Sequence, residues 1–520
     1  MRELINKIAL PFMALTFVML LGACSGKEDS ADLLKKYASS KDAFVATFNI
    51  KQIVDQSGCE VKDGKLELSD ELNAMLKEMP SGSREYIDYV LENEYLIYEN
   101  AILTFNMDGK DPHHMIFAFN VKDSKKFMEQ AGKDFGEKAK EKDDWLAIEL
   151  CEHGTLLSKD NIAMILFLQN DDFSVRTLEK IEQAAQDKPL PEDVVKRLTE
   201  GDQTFTAFAH YEFGENEELP SQFAALAPKD KIGAFFTFNM EEKTWKTSVE
   251  FTDYDGKPTK GLFKGTVDPG LLKYSGKDHQ IAILVGDAKE YLDLFASFMK
   301  GSDKAQLNAI AAMIDGPAML SGSVNINMAD IQSVNEFKIA EKTSFAVAVT
   351  CTKGRAGELI DMVASQLEVP EGGMTEGGIT LNYTPGEAIK AAVDYPIYEW
   401  DYKTYERTMT GTAHSEIDFH RDGDLLLLYL NSTPGANKLN AKAAEIKDAN
   451  LAVISDNFMG TSMADILGVK FGFDGVGTLK GNTITGTTTV TGTDKTMLQA
   501  YLSLISNAVT KSDEIKSKLR

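Results

Sequence analysis

Tryptophan, cysteine and histidine are scarce in this chain: three, four and seven residues in 520. Trp145, Trp245 and Trp400 are too few for a long sugar-stacking cleft. Cationic charge is short as well, with 55 Lys and Arg against 80 Asp and Glu and a net charge of −25. Nucleic-acid binding needs clustered cations to neutralise phosphate, so that class is set aside. There is no Gly-x-Ser-x-Gly elbow, His-Glu-x-x-His helix or Walker sequence. The glycine-rich stretch Pro370 to Gly378 lacks the Gly-Lys-Ser/Thr of a phosphate loop. No cofactor is implied. The 80 carboxylates guarantee pairs at every spacing, so a glycosidase dyad is not readable from sequence.

What is present begins at the N terminus. Arg2 and Lys7 flank the entry to a largely apolar run from Ile8 to Leu21, the layout of a secretory signal over residues 1–23. That run falls short of the ~20 apolar residues that span a bilayer. Leu21-Gly22-Ala23-Cys24 resembles a bacterial lipobox, which implies cleavage before Cys24 and a lipid anchor on its thiol and amine. The membrane is then a partner through Cys24, and stable anchoring takes more than one acyl chain. Lys27-Glu28-Asp29 resembles the acidic signal that sends Bacteroidetes lipoproteins to the cell surface. Outer-membrane surface display is therefore expected, with a periplasm-facing anchor as the alternative. Residues 24–40 read as a polar tether, able to hold the first domain up to ~50 Å from the bilayer if extended.

With Cys24 lipidated, Cys59, Cys151 and Cys351 form an odd set, so at most one bridge closes within the chain, with Cys59 and Cys151 as the candidate pair. Cys351 ends the alternating stretch Phe345 to Cys351 and reads as a core residue.

The remaining sequence runs through one series of signals twice. Ala43 to Ile50 and Ile281 to Val285 each open a half and lead into a helix. Phe117 to Val121 and Phe345 to Val349 each precede a second helix. The continuous apolar runs Ile162 to Leu168 and Leu425 to Leu430 read as strands covered on both faces. Each half closes on a hairpin, the second turning at Gly481-Asn482. The expected fold class is α+β: two related halves, each an antiparallel-rich sheet with helices packed on it. The halves span 41–256 and 277–520, joined by a Gly- and Pro-containing linker over 257–276.

Candidate chemistry is thin. Period-two alternation places His414, Glu416, Asp418 and His420 on one strand face, a pattern shared by metal rows and ordinary solvated strands. Asp418 to Gly423 fails as an EF-hand start, because His420 stands where Asp or Asn is required and Tyr429 where Glu is. His113-His114 falls in an expected hairpin loop. Tyr395, Tyr398, Trp400, Tyr402 and Tyr405 interleave with charges in a short stretch, either as amphipathic anchors of a binding patch or as a hairpin covering its own sheet.

Taken together, Leu21 to Cys24, the opening strand Asp42 to Ile50 and the strand-helix element Phe117 to Phe127 resemble a family of Bacteroidetes lipoproteins defined by a domain of unknown function. That resemblance implies an envelope location and carries over no functional residue. The expected function is a surface-anchored, non-enzymatic binding or structural lipoprotein, with an unidentified protein or glycan as ligand. The alternative is an envelope hydrolase using paired carboxylates.

Overall fold

The computed structural model describes residues 27–63, 65–70, 72–73, 93–106, 114–142, 144–151, 154–168, 175–213, 231–261, 263–324, 342–401, 406–457 and 467–510. They fall into two compact units. The first holds the described residues up to Thr259 together with Asp494–Thr510, and the second holds Lys260–Thr493. Antiparallel strands carrying helices run through both, so the chain is α+β.

The first unit opens with helix α1 (Lys27–Tyr37), then β1 (Phe44–Asn49) running straight into α2 (Ile50–Ser57). Asn49 caps α2 by accepting from the Gln52 amide, and Gly58 ends it in the left-handed region at φ 75°. A small hairpin of β2 (Glu60–Lys62) and β3 (Lys65–Glu67) follows. Next come β4 (Leu96–Asn106) and β5 (His114–Val121), then α3 (Ser124–Asp134), capped by the Asp123 carboxylate on the Lys125 and Lys126 amides. The short β6 (Lys140–Lys142) leads to β7 (Trp145–Cys151), β8 (Gly154–Lys159) and β9 (Ile162–Leu168). Asp160 and Asn161 turn β8 into β9 with positive φ of 52° and 61°, a conformation that Asp and Asn tolerate. Helices α4 (Val175–Asp187) and α5 (Glu192–Thr199) precede β10 (Phe205–Glu212), β11 (Lys231–Met240) and β12 (Thr244–Thr252). The strand order is β12-β11-β10-β1-β4-β5-β9-β8-β7-β6.

Alternation along these strands feeds two cores. Ala46, Phe48, Phe117 and Phe119 pack on one face under α2 and α3, with Phe127 set edge-on to Phe119 at 6.0 Å. Val45, Ile102, Ala118 and Phe208 pack on the other face under α1, α4 and α5. Both faces are covered, which is why β9 reads as a continuous apolar run.

The tether expected over 24–40 is not what residues 27–40 form. Lys27–Tyr37 is helical, and Leu33, Leu34, Tyr37 and Ala38 are buried in the second of these cores. Their spacing gives one apolar stripe, and burying it outweighs the polar residues between. The lipobox, Leu21 to Cys24, lies outside the described residues.

In the second unit, the stretch expected as a linker is partly core: a 3-10 turn, Pro269–Tyr274, buries Leu271 and Leu272. Strand β13 (Ile281–Val285) leads into α6 (Ala288–Phe298), capped by Asp287, and α7 (Gly301–Ala311). Then come β14 (Ile314–Val324), β15 (Thr343–Cys351), α8 (Ala356–Gln366), β16 (Met374–Glu376) and β17 (Ile379–Thr384). The long hairpin β18 (Ala388–Asp401) and β19 (Glu406–Asp422) is followed by β20 (Leu425–Leu430) and a 3-10 turn, Lys438–Lys442. The sheet ends with β21 (Leu451–Ser455), β22 (Gly472–Lys480) and β23 (Thr483–Thr491). Its order is β23-β22-β21-β13-β14-β15-β20-β19-β18-β17-β16.

The final helix, α9 (Met497–Thr510), belongs to the first unit and not to the second half as the sequence suggested. Leu498 and Leu502 enter the core beside Ile50 and Val54 of α2. The Met497 amide donates to the Glu242 carbonyl at 2.7 Å, and the Lys243 ammonium donates to the Lys495 carbonyl at 2.7 Å.

Candidate functional site

In the second unit one sheet face is closed and the other is partly bare. Ala282, Leu284, Met319, Ala346, Leu427 and Ile454 are buried on the closed face under the two 3-10 turns. The residues between them face the other way. There, Val285, Ala318, Val349 and Leu426 are covered at one end by α6 and α8. Further along the same face no helix among the described residues packs against it. Ile281, Ile283, Leu320 and Val453 remain 40, 36, 46 and 38% exposed. The run in β20 expected to be covered on both faces is therefore fully buried only at Leu427 and Tyr429.

The register explains the shape of this bare area. Ile283 lies opposite both Leu320 and Val453, Leu320 opposite Val347, and Val347 opposite Leu428, so one apolar row crosses β21-β13-β14-β15-β20. The neighbouring row runs Ile281, Gly322, Phe345 and Leu430. Glycine at 322 leaves a gap in the second row, and a Cβ there would meet the Ser344 carbonyl at 2.8 Å. Ile281, Ile283, Leu320, Gly322 and Phe345, with the polar Gln280, Ser321, Ser323, Thr343 and Ser344, line a groove of about 460 Å³, and none of these described residues is charged. That volume falls in the range of small-molecule sites. A hollow of about 660 Å³ in the first unit, beside α3, is lined instead by charges that include Lys125, Glu129, Lys133 and Glu137.

Behind this groove, on the closed face, sits a serine–histidine pair. His279 Nδ1 accepts from the Gly276 amide at 2.9 Å, which places the ring proton on Nε2, pointing at Ser432 Oγ 3.0 Å away. Ser321 Oγ lies 2.9 Å from Nδ1. The ring thus donates to Ser432 and does not accept from it, the reverse of what a nucleophile's base requires. Burial also lowers its pKa to about 4. The arrangement locks the start of the unit, and Gly276 leaves no room for a side chain: a Cβ would meet Ser432 Oγ at 2.2 Å.

The residues singled out from sequence are spread over other places. Tyr395 is half-buried and shares a 2.8 Å hydrogen bond with Ser415, while Tyr398 sits in β18 opposite Met409. Trp400 is in β18, opposite Arg407. Tyr402 and Tyr405 lie outside the described residues. His414 pairs with Asp394 at 2.7 Å and Glu416 at 3.3 Å, and the Asp394 hydrogen bond is the main reason its pKa rises. His420 pairs separately with Asp418 at 2.9 Å. Among the described residues no set of three or more His, Cys, Asp or Glu side chains is arranged to hold a metal ion.

His114 is not in an exposed loop as its sequence setting suggested. It opens β5, buried, 4.0 Å from the buried Asp42. Asp42 also accepts from the Ser39 amide and Asn106 Nδ2, both at 2.9 Å. Burial raises its pKa against the pull of His114. Sequence reading passed over this cluster, because nothing local marks Asp42 as buried. Cys59 and Cys351 are free, buried thiols, and burial pushes Cys351 up to about 11.

No known protein family and no characterised protein matches the sequence. Two solved structures of TP0453 are matched in part: crystal form I at 12% identity and crystal form IV at 10%. Each match covers 42% of this chain, with 78% and 79% of the other chain and TM-scores of 0.26 and 0.24. At such scores the likeness carries no inference about this chain.

Proposed function

We propose that this is a lipid-anchored envelope protein of the Bacteroidetes lipoprotein type. In this reading the second unit is a non-enzymatic binding module displayed at the outer-membrane surface. The observation that carries it is the bare apolar groove over β13, β14 and β15, in a molecule whose first unit covers both faces of its own sheet. Exposed apolar surface rimmed by polar residues is a feature of ligand-binding grooves. The hydrolase alternative gains no support from the groove, whose described lining residues include no carboxylate.

The two units are read as copies of one ancestral fold. Their strand orders correspond position by position from β12 to β6 and from β23 to β17. In both, the first strand runs into a side-chain-capped helix, and the third strand of the central run is followed by another helix. Because α1 begins three residues after Cys24, the anchor would hold the first unit within about 10 Å of chain from the bilayer.

The anchor is tested by Cys24→Ala. The variant should leave the membrane fraction, or accumulate as uncleaved precursor. Normal processing and membrane retention would overturn the lipoprotein reading.

A further inference from the structure

The first unit takes its last helix from the far end of the chain, and the way that helix is fixed sets an order of assembly. Thr496, just before α9, donates its hydroxyl to the Gln56 carbonyl of α2 at 2.5 Å, across 440 residues of sequence. The Met497 amide reaches the Glu242 carbonyl between β11 and β12. Gly58, which ends α2, lies so close to α9 that a Cβ there would meet Gln499 Nε2 at 2.2 Å. Cys59 follows at once and shares one core with Ile50, Val54, Leu498 and Leu502. α9 is thus the cover over α2 and the ground around Cys59.

Away from α9 the first unit closes over shorter spans: Thr47 reaches the Leu198 carbonyl across 151 residues, and Gln52 reaches the Met240 carbonyl across 188. The second unit draws its described strands, Ile281 to Thr491, from one continuous stretch, and there Asn450 reaches the Gly265 carbonyl across 185. No strand of it waits for α9.

Closing a loop costs entropy that grows with the disordered chain between its ends. While Lys260–Thr493 is unfolded, α9 hangs at the end of a coil with a radius of gyration of roughly 50 Å, which folding contracts to about 17 Å. The volume that α9 searches then shrinks on the order of twentyfold, and its concentration near α2 rises in proportion. A helix of 14 residues is marginal by itself, so α9 forms as it docks.

We propose that α9 is a completion clasp: it docks on α2 last, after the second unit has folded, so that the first unit closes only on a full-length chain. A chain broken off before Met497 leaves Ile50, Val54 and Cys59 uncovered, the open state on which proteases and holdases act.

The test uses the chain from Ser25 onward, which keeps every described residue, under reducing conditions. Maleimide pulses at successive times after dilution from urea, resolved by peptide mass, follow each thiol. Cys351 should become protected in less than half the time that Cys59 takes. Thr496→Ala, which removes the hydroxyl on Gln56, should delay Cys59 at least twofold and leave Cys351 unchanged. An equilibrium measurement needs no refolding. Leu284 is fully buried in β13, and in urea that opens the second unit of Leu284→Ala but not of the parent, Cys59 should label at least tenfold faster in the variant. Protection of Cys59 before Cys351, or Cys59 equally protected in parent and variant while Cys351 is open only in the variant, would overturn the proposal. A Cys59 rate indifferent to Thr496→Ala would show that α9 is not what closes over it, and would overturn the clasp as well.

Discussion

The two units differ in how far helices cover one face of their strands. In the first, Phe48, Phe117 and Phe119 lie under α2, α3 and α9, and Phe127 and Leu502 fill the spaces between. In the second, α6 and α8 cover only the end of the corresponding face, and Ile281, Ile283 and Leu320 stay open. α6 also carries Phe295 and Phe298 at 59 and 60% exposure, which a helix devoted to core packing would not. One unit has spent its apolar surface on stability. The other leaves part of it exposed.

Each unit contains its own reporter of opening, since Cys59 is buried in the first and Cys351 in the second. Labelling of the two thiols, resolved by peptide mass, reads the units separately. The largest expected effect is at the covered face. Leu502→Ala should destabilise the first unit by about 3 kcal/mol, because a buried leucine leaves both lost transfer energy and a cavity. Cys59 should then label far faster and Cys351 at an unchanged rate. Equal acceleration at both would mean that α9 is not a private part of the first unit.

The second effect runs through pH and belongs to the other unit. Burial holds His279 at about 4, below its ordinary value near 6.5, so the folded state binds fewer protons than the unfolded state between those values. Stability from the neutral ring is present above pH 6.5 and is lost as pH falls through 4, by about 2 kcal/mol. Labelling of Cys351 by a pyridyl disulfide, which reacts in acid, should accelerate across that window. His279→Gln should flatten the response. A variant with the same acid sensitivity as the parent would place the loss elsewhere.

These contrasts also mark what the sequence made legible. Strand positions were readable because turns such as Asp160-Asn161 and Gly481-Asn482 carry backbone signals of their own. Coverage was not: Ile162 to Leu168 and Leu425 to Leu430 are equally apolar, yet only the first is packed on both faces, and that depends on helices far away in the chain. The ownership of α9 is invisible for a related cause, since an amphipathic face states that it must be buried but not against what. The groove escaped notice because Ile281 and Ile283 look like core residues in any sequence. The aromatic stretch drew attention by composition alone, and Tyr395 proves to be tied to Ser415 within its own hairpin.

The smallest expected effect is the one that most directly separates the faces. Leu320 is 46% exposed, and its ladder bonds to β13 and β15 are made by the backbone. Lysine can lay its stem along Ile283 and Val347 and keep its ammonium in water. Leu320→Lys should therefore change stability by no more than about 0.5 kcal/mol, within the range of ordinary surface substitutions. The check is the urea midpoint followed through Cys351 labelling. A loss of several kcal/mol would show that Leu320 is a core residue and that the bare face is covered in solution. Near-neutrality, set against the cost of Leu502→Ala, would show that the same kind of residue is structural in the first unit and dispensable to folding in the second.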